Sequence, residues 1–394
     1  MRGDELSLVK ILFSHRTASR DGQAVHIEEL VAAFRRQGHE IIMVGPANTD
    51  KKEFGEGSSL LELSRRYLPG AILEVMEYAY SFLAFYQLRK AFLKYQPDVI
   101  YERYNLFFMA GVWLKRIYDI PLFLEVNAPI YEERCRYDGI TLKGFAESSQ
   151  KNVWAAADRV LPVSHVLAEY VADAGISPDK ITVIPNGINS EQFLAPIDKT
   201  ASKEVFGAQN KIVVGFTGFI REWHGLEQVI DWLAVPGQSS NVQLILVGDG
   251  PAREALELRA EKAGIGDRVL FTGLIGREAI PETVAAFDIA LQSGVTDYAS
   301  PLKLIEYMAL GCAIVAPDQP NIRELLKDGE TALLFEPSSP ESMRSKMERL
   351  CADKVYRENI GNAARASVLA NNLTWDENAK HIVKLYKRAL AVSA

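Results

Sequence analysis

Two halves of this chain repeat one pattern: a short apolar run, a glycine-bearing loop, then an amphipathic helix. The first half opens with Lys10-Ile11-Leu12-Phe13, continues through a loop containing Asp21-Gly22-Gln23, and enters a helix through Ile27, Leu30, Val31 and Phe34. Further strands are expected at residues 41–44, 98–101, 121–126, 159–163 and 181–184. The second half opens with residues 212–216 and a loop holding Gly218 and Gly225, followed by strands at 243–247, 268–271, 289–291 and 313–316. Strand-length apolar runs alternating with helices require parallel sheets covered on both faces. The expected fold class is therefore α/β, with two doubly wound Rossmann-like domains and ligands at the carboxyl ends of the strands, in a cleft between them. A length of 394 residues accommodates both cores. Turn residues at 185–196 put the boundary near residue 190, giving domains 1–190 and 191–374.

Charge and cysteines narrow the class. The formal net charge of −7 argues against a nucleic-acid partner. The three cysteines, Cys135, Cys312 and Cys351, form neither a disulfide framework nor a metal motif, so a reducing cytoplasm and no metal are expected. Residues 9–13 read as a strand, not a leader. Residues 60–95 combine aromatic and basic side chains, among them Arg65, Arg66, Tyr67, Tyr78, Tyr80, Phe82, Phe85, Tyr86, Arg89, Lys90 and Lys94. Helical spacing assigns most of these aromatics to a core, with peripheral membrane contact as the second reading.

Residues 300–311 carry the clearest chemistry. Ser300 reads as an N-cap, Pro301 as the first helical residue and Gly311 as the stop. Leu302, Ile305 and Met308 share an apolar face. Lys303 opposes the positive end of the helix dipole, a conflict that a bound anion removes. Glu306 follows on the same side. A nucleotide fits this arrangement, with amides and lysine on a diphosphate and the carboxylate on ribose hydroxyls. The plainer alternative is an exposed Lys303–Glu306 pair worth about 0.2–0.5 kcal/mol.

Together with Ile184-Pro185-Asn186-Gly187-Ile188-Asn189, Val247-Gly248-Asp249-Gly250-Pro251, Arg268 through Gly273, residues 286–291 and Leu373-Thr374-Trp375, this segment resembles the retaining GT-B glycosyltransferases of family 4. The resemblance covers nearly the whole chain. It implies sugar transfer from a nucleoside-diphosphate sugar held by the C-terminal domain, with no cofactor, to a glycan, lipid-linked or small-molecule acceptor held by the N-terminal one. It also implies that the last helix, about residues 375–394, returns to the first domain. The family's E-x7-E pair falls on Tyr298 and Glu306. Its diphosphate cations fall on Phe219 and His224, so Arg221 and Lys303 are expected to compensate. Gly273, Leu274 and Ile275 are expected at the base, and Gly22 and Gln23 at the first glycine loop.

Asn127 stands where the family often has a histidine, with Glu125 two residues before it. Asn127 is expected on the donor sugar. Glu125 is expected either on the acceptor or cationic sugar centre, or paired with Arg103 or Arg134. His26, Arg103 and Arg134 are the further acceptor candidates. Two rival functions remain on these residues: a nucleotide-sugar epimerase of the same fold, and a non-catalytic nucleotide-sugar binder.

Overall fold

The computed structural model describes residues 8–17, 22–46, 68–235 and 241–393. Asp21 and Arg65, Arg66 and Tyr67 lie outside them. The chain divides into two compact units, Met1–Pro185 with Trp375–Ala394, and Asn186–Thr374. The division falls at Pro185, ahead of residue 190. Asn186 is hydrogen-bonded to Ser300, Ile188 bridges to Thr374, and Phe193 is buried in the core of the second unit.

In unit 1 the elements are β1 (Lys10–Ser14), α1 (Gly22–Arg36), β2 (Glu40–Val44), α2 (Gly70–Tyr95), β3 (Val99–Arg103), α3 (Ala110–Tyr118), β4 (Leu122–Val126), α4 (Lys143–Ala156) and β5 (Arg159–Pro162). The five strands pair in parallel in the order β2-β1-β3-β4-β5. Every residue of β3 and β4 is buried, so Val99-Ile100-Tyr101 and Leu122-Phe123-Leu124 read as apolar runs, while Glu102, Arg103 and Glu125 are buried charges within the same strands. The expected strand at 181–184 is not one. Ile181 makes an isolated bridge to Val160, and Thr182 and Ile184 donate to the carbonyls of Val160 and Pro162, but Pro162 has no amide to donate in return and the ladder stays broken.

Unit 2 contains β6 (Ile212–Thr217), α5 (Leu226–Ala234), β7 (Val242–Val247), β8 (Val269–Gly273), β9 (Ile289–Leu291), α6 (Leu302–Ala309), β10 (Ala313–Pro317) and β11 (Leu333–Phe335). Its parallel sheet runs β11-β10-β9-β6-β7-β8. Val214 and Phe216 pack into one face and Val213 into the other, so each side of the sheet carries its own core. Gly215 is required there, because a Cβ would come within 2.3 Å of the Phe287 ring. Asp288, paired with Lys199 and Lys203 and accepting from Val213 N, is structural.

The final helix, α7 (Trp375–Ser393), belongs to unit 1. Trp375 is buried with its ring centroid 4.8 Å from that of His26, and Asp376 pairs with Arg36 at 3.0 Å.

Candidate functional site

The loop between β9 and α6 is fixed from both sides. Ser300 does not cap the helix, which begins at Leu302 after an extended Pro301. Instead its hydroxyl accepts from Asn186 N–H at 3.1 Å, and its carbonyl accepts from Asn186 Nδ2 at 2.6 Å. A tertiary partner has overridden the local capping rule. On the other side Asn321 Nδ2 donates to the carbonyls of Thr296 (3.0 Å) and Ala299 (2.7 Å). The first turn of α6 therefore keeps amides with no side-chain cap, facing an ordered loop. Replacing Asn321 by Ala strands two carbonyls and should destabilise the protein by about 1–3 kcal/mol. Denaturant titration of the variant checks this, and donor affinity should fall with it.

Lys303, half-buried, places Nζ 3.9 Å from the centroid of the Phe216 ring. A Cβ at Gly218, whose φ is +133°, would stand 3.3 Å from that nitrogen. Burial pulls the Lys303 pKa down to about 7, against the opposing pull of the Glu306 charge. His224 does not supply the second cation. It is buried, and burial together with the Lys303 charge drives its pKa down to about 3. Its Nδ1 accepts from Arg221 N–H at 3.2 Å, so the neutral ring carries its proton on Nε2. Arg221 is exposed, with its guanidinium 4.9 Å from the Phe219 ring centroid. The two loops approach closely: a Cβ on Gly294 would meet the Trp223 carbonyl at 2.7 Å.

Glu306 is buried and does not form the exposed pair with Lys303. Its Oε1 takes Arg277 Nη1 at 2.6 Å, and that guanidinium lies 5.0 Å from the Phe193 ring centroid. Sequence reasoning missed Arg277, although it stands two residues beyond the expected base segment. In that segment Gly273 ends β8 with φ +70°, Leu274 is exposed and Ile275 packs on the core. Tyr298 is buried. Unit 2 thus gathers Arg221, His224, Lys303 and Glu306 about the start of α6.

In unit 1, Glu125 ends up with both oxygens occupied. Oε1 accepts from Arg103 Nη1 and Asn127 Nδ2, each at 2.5 Å. Oε2 accepts from Tyr101 OH at 2.7 Å and meets His26 Nε2 at 2.9 Å. The facing His26 and Arg103 charges and these hydrogen bonds outweigh burial and hold the Glu125 carboxyl far below its ordinary range. Of the two readings expected for Glu125, the pairing with Arg103 is the one that forms, and the carboxylate also orders Tyr101, Asn127 and His26. Because it can only accept, Asn127 must turn its NH2 toward it, which leaves Oδ1 as the amide's outward acceptor. Arg134 is not brought to this cluster; it pairs with Glu77 at 2.7 Å. Gly22 and Gln23 form the exposed first turn of α1 and not a loop before it.

Comparison with known proteins agrees with this architecture. Residues 20–192 match the family model Glycosyltransferase Family 4, and residues 198–367 match Glycosyl transferases group 1. A glycosyltransferase of Methanocaldococcus jannaschii is 27% identical over 237 residues, and the match spans 59% of this chain and 60% of that relative. The D-inositol 3-phosphate glycosyltransferase of Acidothermus cellulolyticus is 25% identical over 309 residues, 75% of this chain and 68% of the relative. Among solved structures, Anabaena HepE in complex with UDP superposes with a TM-score of 0.71 at 18% identity, over 96% of this chain and 100% of the other. Sucrose-phosphate synthase from Thermosynechococcus elongatus gives 0.75 at 19% identity, over 98% and 100%. With each unit matched by one half of the family's two-domain plan, the chain belongs to the GT-B glycosyltransferases of family 4.

Proposed function

We propose that this chain is a retaining, metal-independent glycosyltransferase that takes a sugar from a nucleoside-diphosphate sugar. The carrying observation is the start of α6: uncapped amides beside Lys303, with Glu306 held by Arg277 one turn on. The amides, Lys303 and Arg221 hold the diphosphate, and His224 Nε2–H donates to it or to the sugar. Glu306 Oε2 takes the ribose hydroxyls and residues 273–275 the base. HepE has been crystallised with UDP and with UDP-glucose, which supports this donor class. Relatives are named for inositol 3-phosphate and for monoglucosyldiacylglycerol, so the acceptor class stays a glycan, a lipid-linked or a small molecule.

In the reaction the bond from the anomeric carbon to the diphosphate oxygen breaks. The acceptor oxygen bonds on the same face, and its proton passes to the leaving diphosphate, whose charge Lys303 and the amides carry. The saturation of Glu125 supports a route without a protein nucleophile. Incubating the protein with UDP-, GDP- and ADP-sugars and acceptors, with and without EDTA, tests the reading. A new glycoside with the donor's anomeric configuration, formed equally in chelator, is expected. An altered free nucleotide sugar points to the epimerase, and no product from any pair to the binder.

The reading extends to a cytoplasmic membrane surface. The outward face of α2 exposes Ile72, Val75, Met76, Leu83, Phe82 (62% exposed) and Tyr86 (64%), followed by Arg89, Lys90 and Lys94, with no exposed acid among them. Apolar side chains beside bases suit an anionic bilayer surface. Among the described residues no helix is long and apolar enough to cross a membrane. The protein should float with phosphatidylglycerol vesicles and not with phosphatidylcholine ones. The double variant Phe82→Asp, Leu83→Asp should stay behind.

A further inference from the structure

Unit 1 holds a cation that its described neighbours do not neutralise. Arg16 leaves β1 at the carboxyl end of the sheet, where doubly wound folds bind ligands. Its guanidinium carbon lies 4.7 Å from the Tyr80 ring centroid and 5.5 Å from that of Phe108, two rings that stack 6.3 Å apart. The carboxylate whose charge acts on it, Glu77, is already paired with Arg134. The Glu125 carboxylate is taken by Arg103 and His26. Among the described residues Arg16 therefore makes no ion pair, and burial, reinforced by the Arg134 charge, pushes its pKa down. Leaving a cation partly desolvated without a partner is costly, and an arriving anion removes that cost.

The backbone beside it is built to hold this shape. Phe107 has φ +62°, an uncommon conformation for a bulky side chain. It is held there by Ser81, whose hydroxyl donates to the Phe107 carbonyl at 2.9 Å and accepts from Met109 N–H at 3.0 Å. That turn sets Phe108 under Arg16 and Phe107 under Arg134, the latter at 5.8 Å. Strain of this kind persists where surrounding contacts over-determine it, and it concentrates at ligand clamps.

We propose that Arg16, assisted by Arg134, binds a phosphoryl group of the acceptor, with Tyr80 and Phe108 as its floor. A phosphoryl group suits two guanidinium forks better than a carboxylate, because it offers three oxygens. The proposal rests on the glycosyltransferase reading and names its acceptor class: a phosphorylated molecule, either a free sugar phosphate or a lipid phosphate.

Isothermal titration with inorganic phosphate, farnesyl phosphate and farnesol tests it. Both phosphates should bind and farnesol should not. Tighter farnesyl phosphate binding assigns a lipid-borne group, and equal binding a soluble one. Arg16→Gln should weaken both phosphates about tenfold to a hundredfold, and Arg16→Lys less, since it keeps the charge and loses the fork. Glu77→Gln frees Arg134 and should tighten binding, a gain that a purely structural Arg16 does not produce. Unchanged binding in Arg16→Gln, or no gain in Glu77→Gln, overturns the proposal. Loss only in Lys303→Ala would place the phosphate at the donor site, overturning this inference while leaving the donor reading intact.

Discussion

Lys303→Ala should lower donor affinity and turnover together, by about tenfold to a hundredfold, because it removes one charge-assisted contact worth roughly 1.5–3 kcal/mol. Folding should not suffer. A half-buried lysine with a pKa of about 7 is a cost to the free protein, not a support. The sign follows from linkage. The unfolded chain holds the lysine proton up to about pH 10.5 and the folded chain only to about 7, so this group's contribution to stability rises with pH across that interval. Removing it should leave the thermal midpoint unchanged or raised at neutral pH. The amides at the start of α6 remain in the variant, so residual diphosphate binding is expected. Lys303→Arg should restore charge at all working pH values. Retained wild-type kinetics in Lys303→Ala, measured with saturating acceptor, would reduce the residue to a helix ornament.

The largest effect on stability is expected at Glu125. Glu125→Ala removes the anion that faces Arg103 and His26 and leaves a buried guanidinium without its partner, at a cost of about 3–5 kcal/mol. For a unit of this size that is a drop of about 6–20 °C in the thermal midpoint. Glu125→Gln should recover part of it, because its one amide oxygen can still accept from Arg103 and Asn127, while the Tyr101 hydroxyl loses its acceptor. The same carboxylate sets an acid limit. Its folded pKa is depressed, so its contribution is complete above its ordinary value of 4.5 and is lost as pH falls below that toward the folded value. The acid-unfolding midpoint of Glu125→Gln should therefore respond less to pH than that of wild type. Calorimetry from about pH 3 to about pH 7 reads both effects. A Glu125→Ala protein as stable as wild type would contradict the saturated-anion account.

Sequence and structure part company at identifiable places. The strands were legible because parallel strands are buried on both faces and are therefore mostly apolar, as in β4 and β7, each with a single polar residue, Glu125 and Gln243. Residues 181–184 carry the same signal but form no strand, since Pro162 on the neighbouring strand has no amide to complete the ladder. The three residues of β11 are too few to stand out. In the site, Lys303 was legible because a lysine at a helix start contradicts the local dipole. Ser300 misleads, because a good capping residue was recruited instead by Asn186, distant in sequence. Arg277 and Asn321 were invisible for a related reason: each is an ordinary polar residue whose meaning comes from a partner on another element. The carboxylate of Glu125 reads as available chemistry until Tyr101, Arg103, Asn127 and His26 are seen closing around it.

Burial lowers the Lys303 pKa to about 7, and a bound diphosphate should raise it again by favouring the charged form. Calorimetric titration with the best-bound of the UDP-, GDP- and ADP-sugars, from about pH 6 to about pH 9, tests it directly. Affinity should be level below pH 7 and fall by up to tenfold per pH unit above it, with uptake of close to one proton on binding in the upper range, and Lys303→Arg should abolish both. Affinity independent of pH in the wild-type protein, with no proton uptake, would contradict a diphosphate held by Lys303.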